Sequence, residues 1–334
     1  MTTQLTPATE AGTEPVADEA AEKPALPGGP PAPRPGAFGA RVVTRALALL
    51  AAGVLGFVGY LTLLTPLEQN ANQDVLYSRL RGPIAEGVPP YAGRAEDDDG
   101  TIVRAVPPVY DDGEDSSIPV GAPVAVLEIP AIGLRQVVVE GTSSGDLELG
   151  PGHRRDTPLP GQQGVSWIHG RATTFGGPFA DLPNLRRGQD LTVVTFQGTF
   201  TYRVEGVRHA GDPMPDVAPV NAGGSRLTLV TAEGDNPLQP GRVVYVDALL
   251  RGDPVPTGAF SELIPDQEKE LAVDVPALLP LVLWMQALLV AVVAMAWARV
   301  RWGRWETHMV GLPVVLAVLW YVYEAGARLL PNLA

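Results

Sequence analysis

The chain has 334 residues, no cysteine, and 37 acidic against 24 basic residues, for a formal net charge of -13. Without cysteine there is no disulfide, no thiolate metal site and no thiol nucleophile. The acidic excess argues against nucleic acid as a partner, because displacing counterions from phosphates needs a basic face. Lys23 and Lys269 are the lysines in a chain rich in arginine, alanine, proline and glycine, a bias typical of high-GC bacterial genomes such as those of actinobacteria.

Residues 1–40 carry Glu10, Glu14, Asp18, Glu19 and Glu22 among alanine, threonine, glycine and proline. With little β-branched or aromatic mass to bury, they read as a disordered cytoplasmic tail. Residues 46–64 are almost wholly apolar; at ~1.5 Å per residue they span about 28 Å, close to the ~30 Å of a hydrocarbon core. A first transmembrane helix is expected at 44–65. A cleaved signal peptide is the rival reading, but the long preceding tail and the absence of a small-x-small site in LTPLEQNANQ weigh against it. Residues 66–122 read as a mostly irregular acidic extracellular spacer with a short helical piece in NANQDVLYSRLRG. The Asp97, Asp98, Asp99 cluster and the Asp111, Asp112, Glu114, Asp115 cluster fit a solvated linker; the EF-hand spacing is absent, and no metal or cofactor is expected.

From 123 to 252 the texture changes to short β-branched and aromatic runs separated by glycine, proline and asparagine, the pattern of an antiparallel barrel or sandwich. LTVVTFQGTFTYRV predicts a hairpin turning at Gln197-Gly198, with Phe200, Tyr202 and Val204 on one face; RLTLVTA and RVVYVDALL predict two further strands. A linker at 253–275 leads to apolar runs expected to cross the membrane at 276–298 and 309–328, joined by a basic turn at 299–308. Arg34, Arg41 and Arg45 precede the first span, and Arg299, Arg301 and Arg304 lie between the second and third. The positive-inside rule then puts the N-tail and the turn in the cytoplasm and residues 66 to 275 outside. The expected setting is a multi-pass protein of the cell membrane.

The β-region carries ordered motifs. VAVLEIPAIGL, LELGPGHRRDTPLPGQQG, TTFGGPFADLPNLRRGQDLTVVT, RLTLVTA and Gly241-Arg242-Val243-Val244 follow one another in a sequence that resembles the sortases, above all the class E-like members of actinobacteria. The resemblance implies a mainly β fold, an eight-stranded barrel, carried extracellularly on a protein with three transmembrane helices. Sortases work with cysteine, histidine and arginine: a thiolate attacks a peptide carbonyl, the imidazole moves protons, and the guanidinium supports charge. By resemblance the cysteine position is Ala232, the histidine position is Arg171 and the arginine position is Arg242. A methyl group has no lone pair, and a guanidinium stays protonated and is no base.

His169 lies two residues from the histidine position, a displacement of ~6–7 Å along a strand at ~3.3 Å per residue, and reads as a packed histidine. His153 and His209 read as structural. Ser143, Ser144, Ser166 and Ser225 lie in no nucleophile elbow, and Thr231 points away from Ala232 on a strand. His169, Arg171, Thr231, Ala232, Glu233 and Arg242 are the expected groove residues. Ala232 and Arg242 are expected to face one groove, and Arg171 to pair with Glu233 or Asp235. The function expected is a catalytically silent binding or scaffolding module of the envelope, with the membrane and an envelope protein or peptide as partners. The alternatives are a cysteine-independent transpeptidase or peptidase with a rebuilt site, and an active enzyme carrying an engineered cysteine-to-alanine change.

Overall fold

The computed structural model describes residues 37–86, 118–234, 236, 239–257 and 264–334. The two acidic clusters and Asp235 lie outside the described residues. The chain divides into two units, Met1–Ala52 and Gly53–Ala334; the second holds every strand and the two C-terminal apolar helices.

Helix α1 (Ala37–Gly59) continues through one π turn (Tyr60–Leu64) into α2 (Thr65–Glu86). Pro66 accounts for the wide turn. It has no N–H to offer, and its ring would strike a carbonyl one turn back in a regular helix. The Leu61 carbonyl instead accepts from the Thr65 hydroxyl at 2.6 Å. Residues 65–86 are thus a full helix, where the sequence suggested irregular spacer with a short helical piece. One apolar row of that helix explains it: Leu76 and Leu80 pack on Val126, Val137 and Val139 of the barrel, and tertiary burial outweighs the turn-prone composition.

The barrel consists of β1 (Pro123–Ile129), β2 (Leu134–Glu140), β3 (Gly152–His153), β4 (Gly164–His169), β5 (Asp190–Thr195), β6 (Gly198–His209), β7 (Ser225–Ala232) and β8 (Val243–Arg251). Short helices α3 (Ser144–Leu149) and α4 (Ala218–Asn221) sit in its connections. The strands close in the order β1-β2-β3-β4-β7-β8-β6-β5, with β4 and β7 parallel and β7 and β8 antiparallel. Period-2 alternation fills the interior with Leu127, Ile129, Ile168, Leu191, Val193, Tyr202, Leu227, Leu229 and Val246. The expected face of Phe200, Tyr202 and Val204 is buried. The hairpin turn is Phe196-Gln197, one residue earlier than expected, with Thr195 paired to Gly198.

Helices α5 (Leu278–Arg301) and α6 (Arg304–Ala327) complete the chain. Together with Val43–Glu86 they are long and apolar enough to cross a membrane. The turn between α5 and α6 is only Trp302-Gly303, shorter than the 299–308 expected, because Gly303 takes φ 113, open to glycine at little steric cost. Tyr60 packs against Trp320 and Tyr323 of α6 at 5.3 and 5.9 Å between ring centroids. The Tyr323 hydroxyl donates to the Gly53 carbonyl at 2.9 Å.

Candidate functional site

Ala232 ends β7 and pairs with Val243 at the start of β8. The barrel interior takes Leu227 and Leu229, so alternation turns Thr231 inward and Ala232 to the outer face. Ala232 joins Val230, Val243, Tyr245 and Leu333 in one buried apolar cluster, with Trp167 against it, and is only 3% exposed. Tyr245 meets Trp167 edge-on at 5.8 Å, and each ring carries a guanidinium, Arg208 over Tyr245 at 4.1 Å and Arg154 over Trp167 at 4.7 Å.

Arg242 immediately precedes β8 and is exposed; the residue opposite Ala232 is Val243. Arg242, expected to share a groove with Ala232, thus stands one residue before the strand. In an antiparallel pair directly opposed residues share a face, and Arg242 is one residue out of step.

Arg171 follows β4 and is fully buried. It does not pair with Glu233: among the described residues no carboxylate oxygen comes within 4.0 Å of its guanidinium. It donates instead to the Ser144 carbonyl at 2.9 Å, the Ser144 hydroxyl at 2.7 Å and the Thr174 hydroxyl at 3.0 Å, and lies 4.9 Å over the Phe175 ring. Glu233, in the β7–β8 connection, is exposed and lies 3.8 Å from His209 at the end of β6. Gly170 lets the chain pass here, since a Cβ at that position would collide with the Phe179 ring. Burial lowers the Arg171 pKa to about 10, and the Glu148 carboxylate opposes that fall.

Glu148 was not singled out in the sequence, where it is one acid in LELGPGH. It is buried on α3, accepts from Arg328 at 3.3 Å with one oxygen, and leaves the other unpartnered. Burial pushes its pKa up to about 7 against the pull of Arg171 and Arg328. An unfolded glutamate releases its proton near ~4.3. Between those values the native state binds more protons than the unfolded state, so this group's contribution falls as pH rises and its full cost stands above about pH 7. Glu148→Gln should therefore gain on the parent by on the order of 1–3 kcal/mol more at pH 8 than at pH 5. Thermal melts in detergent at the two pH values check this; an unchanged gap refutes it.

His169, at the end of β4, is fully buried with both ring nitrogens unpartnered, and burial, then Arg154 and His153, bring its pKa down to about 3. It is a packed neutral imidazole. His153 is a joint: Nδ1 lies 2.9 Å from Glu140 and Nε2 3.1 Å from the Pro158 carbonyl. Burial pulls its pKa down, but Glu140 and Pro158 more than offset this, and it is raised. The Ser143 hydroxyl caps α3, that of Ser144 meets Arg171 and that of Ser225 meets Tyr202; those of Ser166 and Thr231 are buried without a partner.

The residues that sequence reading missed come from the end of the chain. The Leu333 carbonyl accepts from the Ala172 amide at 3.1 Å; the Ala334 carbonyl accepts from the Thr174 hydroxyl at 2.7 Å and the Thr174 amide at 3.4 Å. Asn332 donates its side-chain amide to the Gln267 and Lys269 carbonyls, each at 2.8 Å. Residues 332–334 thus lie between the barrel and the 264–274 strap, which Glu268 fastens by a two-pronged bond to Arg155 at 2.6 and 3.1 Å. LLPNLA carries no periodicity or motif that marks it as a packing segment.

The closed eight-stranded barrel, here with parallel β4 and β7 and with α2 against β1 and β2, is typical of sortases. Residues 127–249 match the family model described as Sortase domain. A stretch of 84 residues is 34% identical to Sortase D of Bacillus subtilis (strain 168), covering 25% of this chain and 41% of the relative. The chain thus spans less than half the length of that relative. Among solved structures, sortase E from Streptomyces avermitilis is 29% identical, with 46% of this chain and 100% of that chain covered and a TM-score of 0.34. A Clostridium perfringens sortase D5 transpeptidase is 25% identical over 41% of this chain and 83% of that one, with a TM-score of 0.34.

Proposed function

We propose that this protein is a membrane-anchored sortase-domain protein without transpeptidase activity, which serves as a binding or scaffolding module of the cell envelope. The observation that carries the reading is the end of β7. At the position that the sequence resemblance matches to the family's nucleophile stands a methyl group, Ala232, with Leu333 in the same buried cluster. No acyl-enzyme forms on a methyl group. At the position that the resemblance matches to the histidine stands Arg171, whose guanidinium donates to Ser144 and Thr174. The test is direct. Purified full-length protein, incubated with envelope-type peptides and an amine nucleophile, should yield no cleaved or joined product by mass spectrometry; any product above the enzyme-free control overturns the reading.

The barrel is placed outside the cell on three membrane helices, by the arginines before the first span and between α5 and α6. In a chain without cysteine, single replacements report the topology cleanly. Met214→Cys, on an exposed barrel loop, should react in intact cells with a membrane-impermeant thiol reagent, and Arg301→Cys should not. The reverse pattern inverts the orientation.

A further inference from the structure

We infer that the groove over Ala232 is a peptide cleft filled by the chain itself, with residues 330–334 as its built-in ligand, so that an outside peptide enters only by displacing them. The inference deepens the proposed function, on which it rests for the identity of the groove.

The segment is held as a bound peptide is held, by main-chain hydrogen bonds along its length and by side chains in separate pockets. Its main chain bonds to the Ala172 amide, the Thr174 amide and hydroxyl, and, through the Asn332 amide, to the Ala272 carbonyl at 3.0 Å. Leu333 enters the Ala232, Val230, Val243, Tyr245 cluster, while Leu330 and Ala334 enter a second one formed by Tyr60, Leu61, Phe175 and Ala327. Asn332 and Leu333 are fully buried. The contacts come from three directions: the barrel, the 264–274 strap, and the π turn at the head of α2. A segment that merely trailed from α6 would not be enclosed on all of these sides.

Burial of this kind has an energetic consequence. Leu333 removes a whole leucine side chain from water, and Asn332 satisfies two carbonyls of the strap, so release of the segment uncovers Ala232 and unpairs the strap together. A competing peptide therefore binds only as tightly as its affinity exceeds that of an occupant tethered in place at high effective concentration.

The absence of cysteine supplies the experiment. Ala232→Cys, in full-length protein in nanodiscs, places a thiol beneath Leu333; Met214→Cys is the exposed reference. If the segment fills the cleft, maleimide should label Cys at 232 roughly 100-fold more slowly than at 214, since reaction awaits local opening. Leu333→Asp added to Ala232→Cys should bring the rate to within about tenfold of the reference. Shortening the chain after Leu329 should do the same without introducing a buried charge. Retention of circular-dichroism β signal and a cooperative melt separates release from unfolding. Rapid labelling in the chain with the segment intact overturns the inference, as does slow labelling that persists when the segment is removed. Labelling reads occupancy alone, so transpeptidation products in the earlier assay would sink the silent-module reading and leave this result standing.

Discussion

Replacing Arg171 by methionine will destabilise the folded protein by on the order of 3–5 kcal/mol near pH 8, and by clearly less near pH 5.5. The side chain is fully buried, and its departure strips the Ser144 carbonyl, the Ser144 hydroxyl and the Thr174 hydroxyl of their donor. A well-packed hydrophobic replacement of a buried charge is sometimes neutral, because the charge itself was costly to desolvate. Glu148 decides against neutrality here. Arg171 is the foremost charge holding down a carboxyl pKa that burial has already raised to about 7, so its loss drives that pKa higher still and costs most at pH 8, where the unfolded glutamate is ionised. At pH 5.5 that carboxyl carries its proton and the penalty shrinks. Thermal unfolding of the detergent-solubilised pair at the two pH values measures this. A loss that is small, or equal at both, would show that Arg171 is carried passively.

A thiol introduced at Ala232 will not support acyl transfer. Ala232→Cys should remain at least ~10²–10⁴-fold below a thiol with a working acid–base partner, the usual contribution of positioned proton transfer. His169 offers no remedy, because an imidazole with a pKa of about 3 is a feeble base near neutrality and is sealed from solvent. Arg171 holds its proton, and Arg242 sits exposed one residue out of step with the pair Ala232 and Val243. Peptide and amine nucleophile with the Ala232→Cys protein, followed by mass spectrometry, should show product formed no faster than about tenfold over the enzyme-free control, a barrier difference of ~1.4 kcal/mol. Faster turnover would mean that another group takes the proton.

The barrel was legible because its information is local. LTVVTFQGTFTYRV states its own alternation, and a strand with one buried face cannot slip by a residue without turning every side chain over. The three apolar spans were legible for the same reason, through length alone. The details of the site were not, because they depend on partners far apart in sequence. Ser144 and Thr174 meet Arg171 from different loops, and Leu333 reaches Ala232 across about a hundred residues of sequence. Pairing Arg171 with Glu233 was an argument from proximity to Ala232 along the chain; the β7–β8 connection carries Glu233 out to His209 instead. Helix α2 was under-read because its composition is poor and its stabilising contacts lie on the barrel.

The barrel's closure also limits how anything else can adhere to it. Strand β3 contributes only two residues, so β2 has a stretch without a strand neighbour on that side. Gln73 of α2 occupies the gap: its side-chain carbonyl accepts from the Val137 amide at 2.6 Å, and its amide donates to the Val137 and Leu149 carbonyls at 3.1 and 2.8 Å. A glutamine side chain here does the work of a ninth strand. With the Val137 amide and carbonyl so engaged, β-augmentation finds less of a foothold on β2, and neighbouring copies find less of a template there for edge-to-edge polymerisation.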